Sequence, residues 1–113
     1  MTARLTSQLL VSALLRRAEV SGGFGVVITK GDQGAGSIIL QLLEKGVISG
    51  LWERALTASG GYQWLSCGPQ DVDILAEIDG YILRRRRNDP DLWVLELDVP
   101  DAERFTADLP TGT

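Results

Sequence analysis

Apolar and polar residues change period several times along the chain, and each change marks an element. Between Thr6 and Ser21, Leu10, Leu14 and Ala18 recur every fourth residue with Val11 and Leu15 beside them. That spacing predicts a helix with a wide buried stripe. Thr6 or Ser7 is placed to cap it, because a hydroxyl there accepts from unpaired backbone N–H groups. Ser21-Gly22-Gly23 stops it. Phe24 to Lys30 is rich in β-branched residues and reads as a strand ending at Gly31-Asp32. The apolar run from Ser37 to Glu44 is too continuous for its period to separate strand from helix. Gln41-Leu42-Leu43-Glu44 favour helix, whereas the short length and the glycine-rich turn before it favour strand, which is the expectation adopted. Val47 to Thr57 and Tyr62 to Cys67 alternate as two further strands about a turn at Ser59-Gly60-Gly61, with Gly50 marking a bulge or a late start.

The stretch from Pro69 to Asp98 forms the organising unit. Ile74, Leu75, Ile78, Tyr81 and Ile82 make an apolar helical stripe, begun at Gly68-Pro69 and ended at Asn88-Asp89-Pro90. Asp71 and Asp73 are expected at its positive end, and Arg84 to Arg87 at its negative end. Leu92 to Leu97 returns as a strand. The predicted class is α+β, in the order α-β-β-β-β-α-β: an antiparallel meander sheet with both helices on one face. One domain covers residues 1–113, with a core over about 6–98 and a loosely held tail at 99–113, whose Phe105 is expected to dock.

Composition then narrows the chemistry. The chain has 113 residues, a net charge of -4, one cysteine and no histidine. Without histidine there is no Ser-His or Cys-His catalysis and no histidine-ligated zinc. Cys67 alone cannot form an internal disulfide, which fits a reducing compartment. No apolar run reaches the ~18 residues of a membrane span, and the basic pair Arg16-Arg17 follows the apolar Leu9–Leu15 stretch, the reverse of a secretory signal. A cytoplasmic location is expected.

Several blocks resemble a bacterial domain-of-unknown-function family of small proteins: Val11-Ser12-Ala13-Leu14-Leu15-Arg16-Arg17, Gly22-Gly23-Phe24, Gly31-Asp32 with Gly36, and Asp89-Pro90-Asp91-Leu92-Trp93-Val94. The likeness runs from about Leu9 to Asp98. It implies a sheet segment after the Gly-Asp turn. It implies no activity, ligand or catalytic residue.

Four groups are the candidates for function. Arg16, Arg17, Arg84, Arg85, Arg86 and Arg87 form an anion-binding edge if the two helix ends converge, since guanidinium forks take phosphate or carboxylate in two bonds. Four consecutive arginines sweep around a helix, however, so they also suit a solvated helix end. Arg85 continues the apolar stripe. Asp89, Pro90, Asp91 and Trp93 read as a structural corner between helix and strand, with a two-carboxylate site as the competing reading. Gly31 to Ser37 spaces glycines like a phosphate loop but has Ser37 where the lysine belongs. Trp52, Trp64 and Trp93 fill the core or stack on a partner. No catalytic residue, metal site or cofactor is assigned. The expected role is a non-catalytic interaction or structural module whose partner is a protein, including a second copy in a homodimer, and not a membrane. The alternative is an RNA- or phosphate-binding module that uses the arginines.

Overall fold

The computed structural model describes residues 5–112. Helix α1 (Ser7–Val20) starts where Thr6 Oγ1 accepts from the Leu9 N–H at 3.3 Å. Strands β1 (Phe24–Thr29), β2 (Ile38–Glu44), β3 (Val47–Leu56) and β4 (Tyr62–Ser66) follow, then α2 (Leu75–Asn88), β5 (Trp93–Val99) and α3 (Ala102–Thr106). The ambiguous stretch after Ser37 is a strand, as expected. The irregularity expected at Gly50 is a bulge at Ser49, where the β2–β3 register shifts between Leu42 and Leu43.

The five strands lie in the order β1-β5-β2-β3-β4. The expected antiparallel meander is therefore wrong. β5 inserts between β1 and β2, antiparallel to the first and parallel to the second. The reason lies in burial. Trp93, Leu95, Leu97 and Val99 are buried on one face of β5 and Val94 on the other, so the strand needs neighbours on both edges and cover over part of each face. β1 alternates between exposed and half-buried positions and takes the edge.

The same argument overturns the placement of both helices on one face. Ile38, Leu40, Leu42, Leu95 and Leu97 join a core with Leu10, Val11, Leu14 and Ala18 of α1. Ile39 and Val94, the alternate residues of the same strands, join Leu51, Leu92 and Ile78 of α2 in a second core. Successive side chains on a strand point to opposite faces, so α1 and α2 cover opposite sides of the sheet. Gly25 is what lets α1 settle over β1: a Cβ there would lie 2.7 Å from Leu15 Cδ2.

Two further expectations change. α2 begins at Leu75, not at Pro69, and Asp71 Oδ1 accepts from the Asp73 N–H at 3.0 Å in a turn ahead of it. The segment after Val99, expected as a loose tail, carries a third helix, α3, capped by Asp101. Ala102 and Phe105 are buried against the α1 core, with Leu109 packed on it. Trp64 Nε1 then donates to the Pro110 carbonyl at 2.9 Å, and Arg54 donates to that of Thr111 at 3.1 Å.

Candidate functional site

The arginines fall into two separate groups. Arg16 and Arg17 sit at the end of α1, next to the Asp98 end of β5, because β1 starts with Phe24 opposite Asp98. Arg84 to Arg87 end α2, which leads into the Trp93 end of β5. The groups thus lie at opposite ends of β5 and on opposite faces, and the expected six-arginine edge does not assemble. Arg16 is exposed. Arg17 donates to Asp108 Oδ2 at 3.0 Å with its guanidinium 5.8 Å from the Phe105 ring centre. Together with Val20, Ser21, Pro100, Asp101 and Arg104 these residues line a shallow groove of ≈ 490 Å³. Two carboxylates share it with the two guanidinium groups, so it presents no concentrated positive field.

Arg85 does something different from its neighbours. It makes a two-pronged ion pair with Glu53 on β3, Nη1 to Oε1 at 2.8 Å and Nη2 to Oε2, and Nη1 also donates to the Tyr81 hydroxyl at 2.8 Å. The Glu53 carboxylate holds the Arg85 guanidinium well above its ordinary pKa. The Tyr81 hydroxyl lies beside the Cys67 thiol, just past the end of β4. Burial pushes the Cys67 thiol and the Tyr81 hydroxyl up. Cys67 therefore stays a thiol at neutral pH, the poorly nucleophilic form. This chain of four groups ties α2 to the sheet. Sequence alone pointed to Arg85 through its place in the stripe, one turn after Tyr81. Glu53 was missed, because nothing local to β3 marks it as the partner of a residue 32 positions away.

Arg84, Arg86 and Arg87 are exposed. Arg86 and Arg87 line a shallow concavity of ≈ 300 Å³ with Thr29, Leu83, Asp89, Pro90 and Leu92.

Asp89, Pro90, Asp91 and Trp93 make the corner between α2 and β5. Asp89 Oδ1 accepts from the Asp91 N–H at 3.1 Å, and the Asp89 carbonyl from the Leu92 N–H at 3.2 Å. Trp93 Nε1 donates to the Asp32 carbonyl at 2.7 Å. The glycine-rich loop wraps over this corner: a Cβ at Gly31 or Gly36 would lie 2.2 or 2.1 Å from the Asp91 carbonyl oxygen. Asp32 Oδ2 accepts from the Gly34 and Ala35 N–H groups, and the buried Ser7 hydroxyl donates to the Gly36 carbonyl at 2.7 Å. The loop's own backbone donors are thus turned onto Asp32, and the loop joins α1 to the β5 corner. Among the described residues, no group of three or more Cys, Asp or Glu side chains is arranged to hold a metal ion.

A surface that sequence reading passed over lies on β1. Val26 pairs with Glu96 and Phe24 with Asp98, which places both on the α2 side, while Gly25 and Val27 face α1. Phe24, Val26 and Ile28 are 59%, 47% and 49% exposed, and Leu83 of α2 is 52% exposed beside Thr29. The strand carries no charge from Phe24 to Thr29. Its alternation was visible in the sequence; its position at an edge was not. Among the described residues no helix is long and apolar enough to cross a membrane.

Comparison with known proteins places this architecture. A family model described as "Protein of unknown function (DUF1491)" matches residues 5–107. A DUF1491 family protein from Caulobacter crescentus CB15, solved by crystallography, is 33% identical with a TM-score of 0.75, the match covering 87% of this chain and 91% of that one. The NMR structure of a DUF1491 family protein from the same organism is 31% identical with a TM-score of 0.77, over 89% and 91%. The solution structure of protein Atu0922 from A. tumefaciens is 30% identical with a TM-score of 0.68, over 88% and 89%. No curated protein matches the chain. With a family model covering nearly its whole length and relatives that share both sequence and fold, the chain belongs to the DUF1491 family, whose function is unknown.

Proposed function

We propose that the protein is a non-catalytic interaction module that accepts an extended segment of a protein partner along the open side of β1. The observation that carries this reading is the exposed apolar row of Phe24, Val26 and Ile28 on an uncharged edge strand. An edge strand presents unpaired backbone N–H and C=O groups, and soluble proteins usually blunt such an edge with charge or cover. β1 itself carries no charge, and Phe24 and Val26 on its α2 side stay about half exposed. An added strand takes its affinity from main-chain hydrogen bonds and its specificity from alternate side chains, which Phe24, Val26 and Leu83 are placed to meet. Arg86 and Arg87 supply charge at one end of the same surface.

Chemistry has less support. The one cysteine is held as a thiol, the Asp89 carboxylate is spent on a turn while Asp91 is exposed, and the glycine-rich loop is closed on Asp32. The test is site-specific photocrosslinking in cells that express the protein. A benzophenone side chain at Val26 gives a protein adduct, and one at Leu65, equally apolar and exposed on β4, gives none. Absence of an adduct at Val26, or equal adducts at both sites, sinks the reading.

A further inference from the structure

Resting on that reading, we propose that the segment taken up by β1 belongs to a different protein and carries an arginine or lysine opposite Val26, whose cationic head reaches across Val26 to the Glu96 carboxylate. One row of the sheet sets the geometry. Val26, Glu96, Gln41 and Leu51 stand side by side on β1, β5, β2 and β3. Leu51 lies in the core beneath α2, so the whole row faces the α2 side. A strand added outside β1 continues the row with one residue opposite Val26, and the side chain of that residue points the same way.

Glu96 lacks a cation. It is half-buried in the middle of the sheet and lines a groove of ≈ 480 Å³ between α2 and the sheet with Gln41, Leu43, Asp73, Leu75 and Asp79. Among the described residues no lysine or arginine lines this groove; Lys45, in the turn between β2 and β3, is exposed and outside it. The ion pairs among the described residues are Arg17–Asp108 and Arg85–Glu53, and neither involves these carboxylates. Asp98, next on the same face of β5, is already used: its Oδ2 accepts from the Gly46 N–H at 2.9 Å. Taking a carboxylate partly out of water costs free energy that a facing cation offsets. The carboxylates of Asp73 and Asp79 add to the same field, so the groove attracts positive charge and rejects negative charge.

The length of the cationic side chain follows from where Glu96 stands. Adjacent strands lie about 4.8 Å apart, so the backbone of an added strand is about 10 Å from that of β5. Arginine and lysine are long enough to cross one strand and meet a glutamate coming the other way. Their methylene stems suit the exposed Val26 that lies between, while the head stays at the rim of the groove. Two residues away from the cation, Phe24 favours an apolar neighbour. Toward the Thr29 end, Arg86 and Arg87 line the next concavity and repel a second cation. Neither edge strand of this chain, β1 or β4, contains a lysine or arginine, so pairing with the edge of a second copy cannot supply the head. The occupant that fits is a segment of a separate protein, with its cation at one fixed position among apolar alternates.

Two peptides test the proposal in amide NMR titrations: Thr-Val-Thr-Arg-Thr-Val-Thr, and the same sequence with glutamate in place of the arginine, both blocked at their ends. With the wild type the arginine peptide shifts the β1 amides and binds at least about fivefold more tightly than the glutamate peptide. Glu96→Lys reverses that order. Glu19→Gln, which removes an exposed carboxylate from α1 on the opposite face, leaves it unchanged. Each variant is first shown to be folded by its own amide spectrum. An arginine peptide that leaves the β1 amides unmoved, equal affinity for the two peptides, a preference that survives Glu96→Lys, or one that Glu19→Gln weakens as much, overturns the proposal. The photocrosslink at Val26 separates this failure from that of the broader reading. An adduct there with a different protein, from a chain that does not discriminate between the peptides, removes the cation and leaves strand capture standing. An adduct between two copies of this chain overturns the separate partner. No adduct removes both.

Discussion

Each face of the sheet is covered by a helix of 14 residues, yet the two faces are built differently. On one side α1 sends Ser7, Leu10, Val11, Leu14 and Ala18 into full burial, and α3 closes the rim with Phe105. On the other side α2 buries only Ile78 completely and leaves Leu75 and Leu83 more than half exposed. What holds α2 is partly polar: the Arg85–Glu53 pair and the Tyr81–Cys67 contact. The difference shows that equal helix length does not mean equal cover. A closed apolar core carries stability on the α1 side. The α2 side is left with apolar surface to offer, and the β1 edge lies on that side.

The comparison breaks first if truncation costs the same on both faces. Leu14→Ala, beneath α1 where every neighbour is packed, is expected to cost about 3–5 kcal/mol in urea unfolding. Ile78→Ala, under a helix free to settle inward, is expected to cost about 2 kcal/mol. Equal losses remove the distinction.

A smaller effect tests the polar attachment of α2. Arg85→Met keeps the aliphatic stem and removes the fork; since the pair is partly exposed, a loss of about 1 kcal/mol is expected, with amide exchange in α2 accelerated more than in α1. Uniform acceleration shows that the pair does not tie α2 in particular. The raised pKa of Arg85 means that its contribution is complete at neutral pH, since it is lost only as pH rises above the arginine range.

Cys67 and Tyr81 give a pH dependence of definite sign. Burial raises both, so the folded chain holds these protons more tightly than the unfolded chain does. Stability from this source is present below the ordinary thiol value of 9.0 and declines as pH climbs past it. Thermal melts should show Tm falling from about pH 9 upward, with a shallower fall in Cys67→Ala. An unchanged slope in that variant excludes the thiol as the cause.

The smallest expected effect lies on the α1 side. Asp108 is 88% exposed in its pair with Arg17, so Asp108→Asn should change stability by less than about 0.5 kcal/mol in the same urea titration. A larger loss would mean that this face, too, depends on an ion pair.

Local signals found seven of the eight elements. Helical spacing in Leu10, Leu14 and Ala18, β-branching in Val26 to Ile28 and the turn residues between strands are short-range properties, and they marked α1 and the five strands. The helical stripe of α2 was legible too, although its start was placed too early at Pro69. The structural role of Asp89-Pro90-Asp91 and Trp93 was also within reach, because an Asx turn is closed by residues two apart. What the chain's own pattern left open was which strands become neighbours. That β5 lies between β1 and β2, that α1 and α2 take opposite faces, and that the arginines diverge all depend on β5 and β2 needing apolar cover on both sides at once. α3 was missed because five residues with two buried side chains carry almost no periodic signal. Sequence by itself determined which segments are greasy, where they turn and which chemistries lack their side chains. Only the tertiary structure decided that β1 ends up with one side unpaired, since an edge exists only once every other strand has found its place.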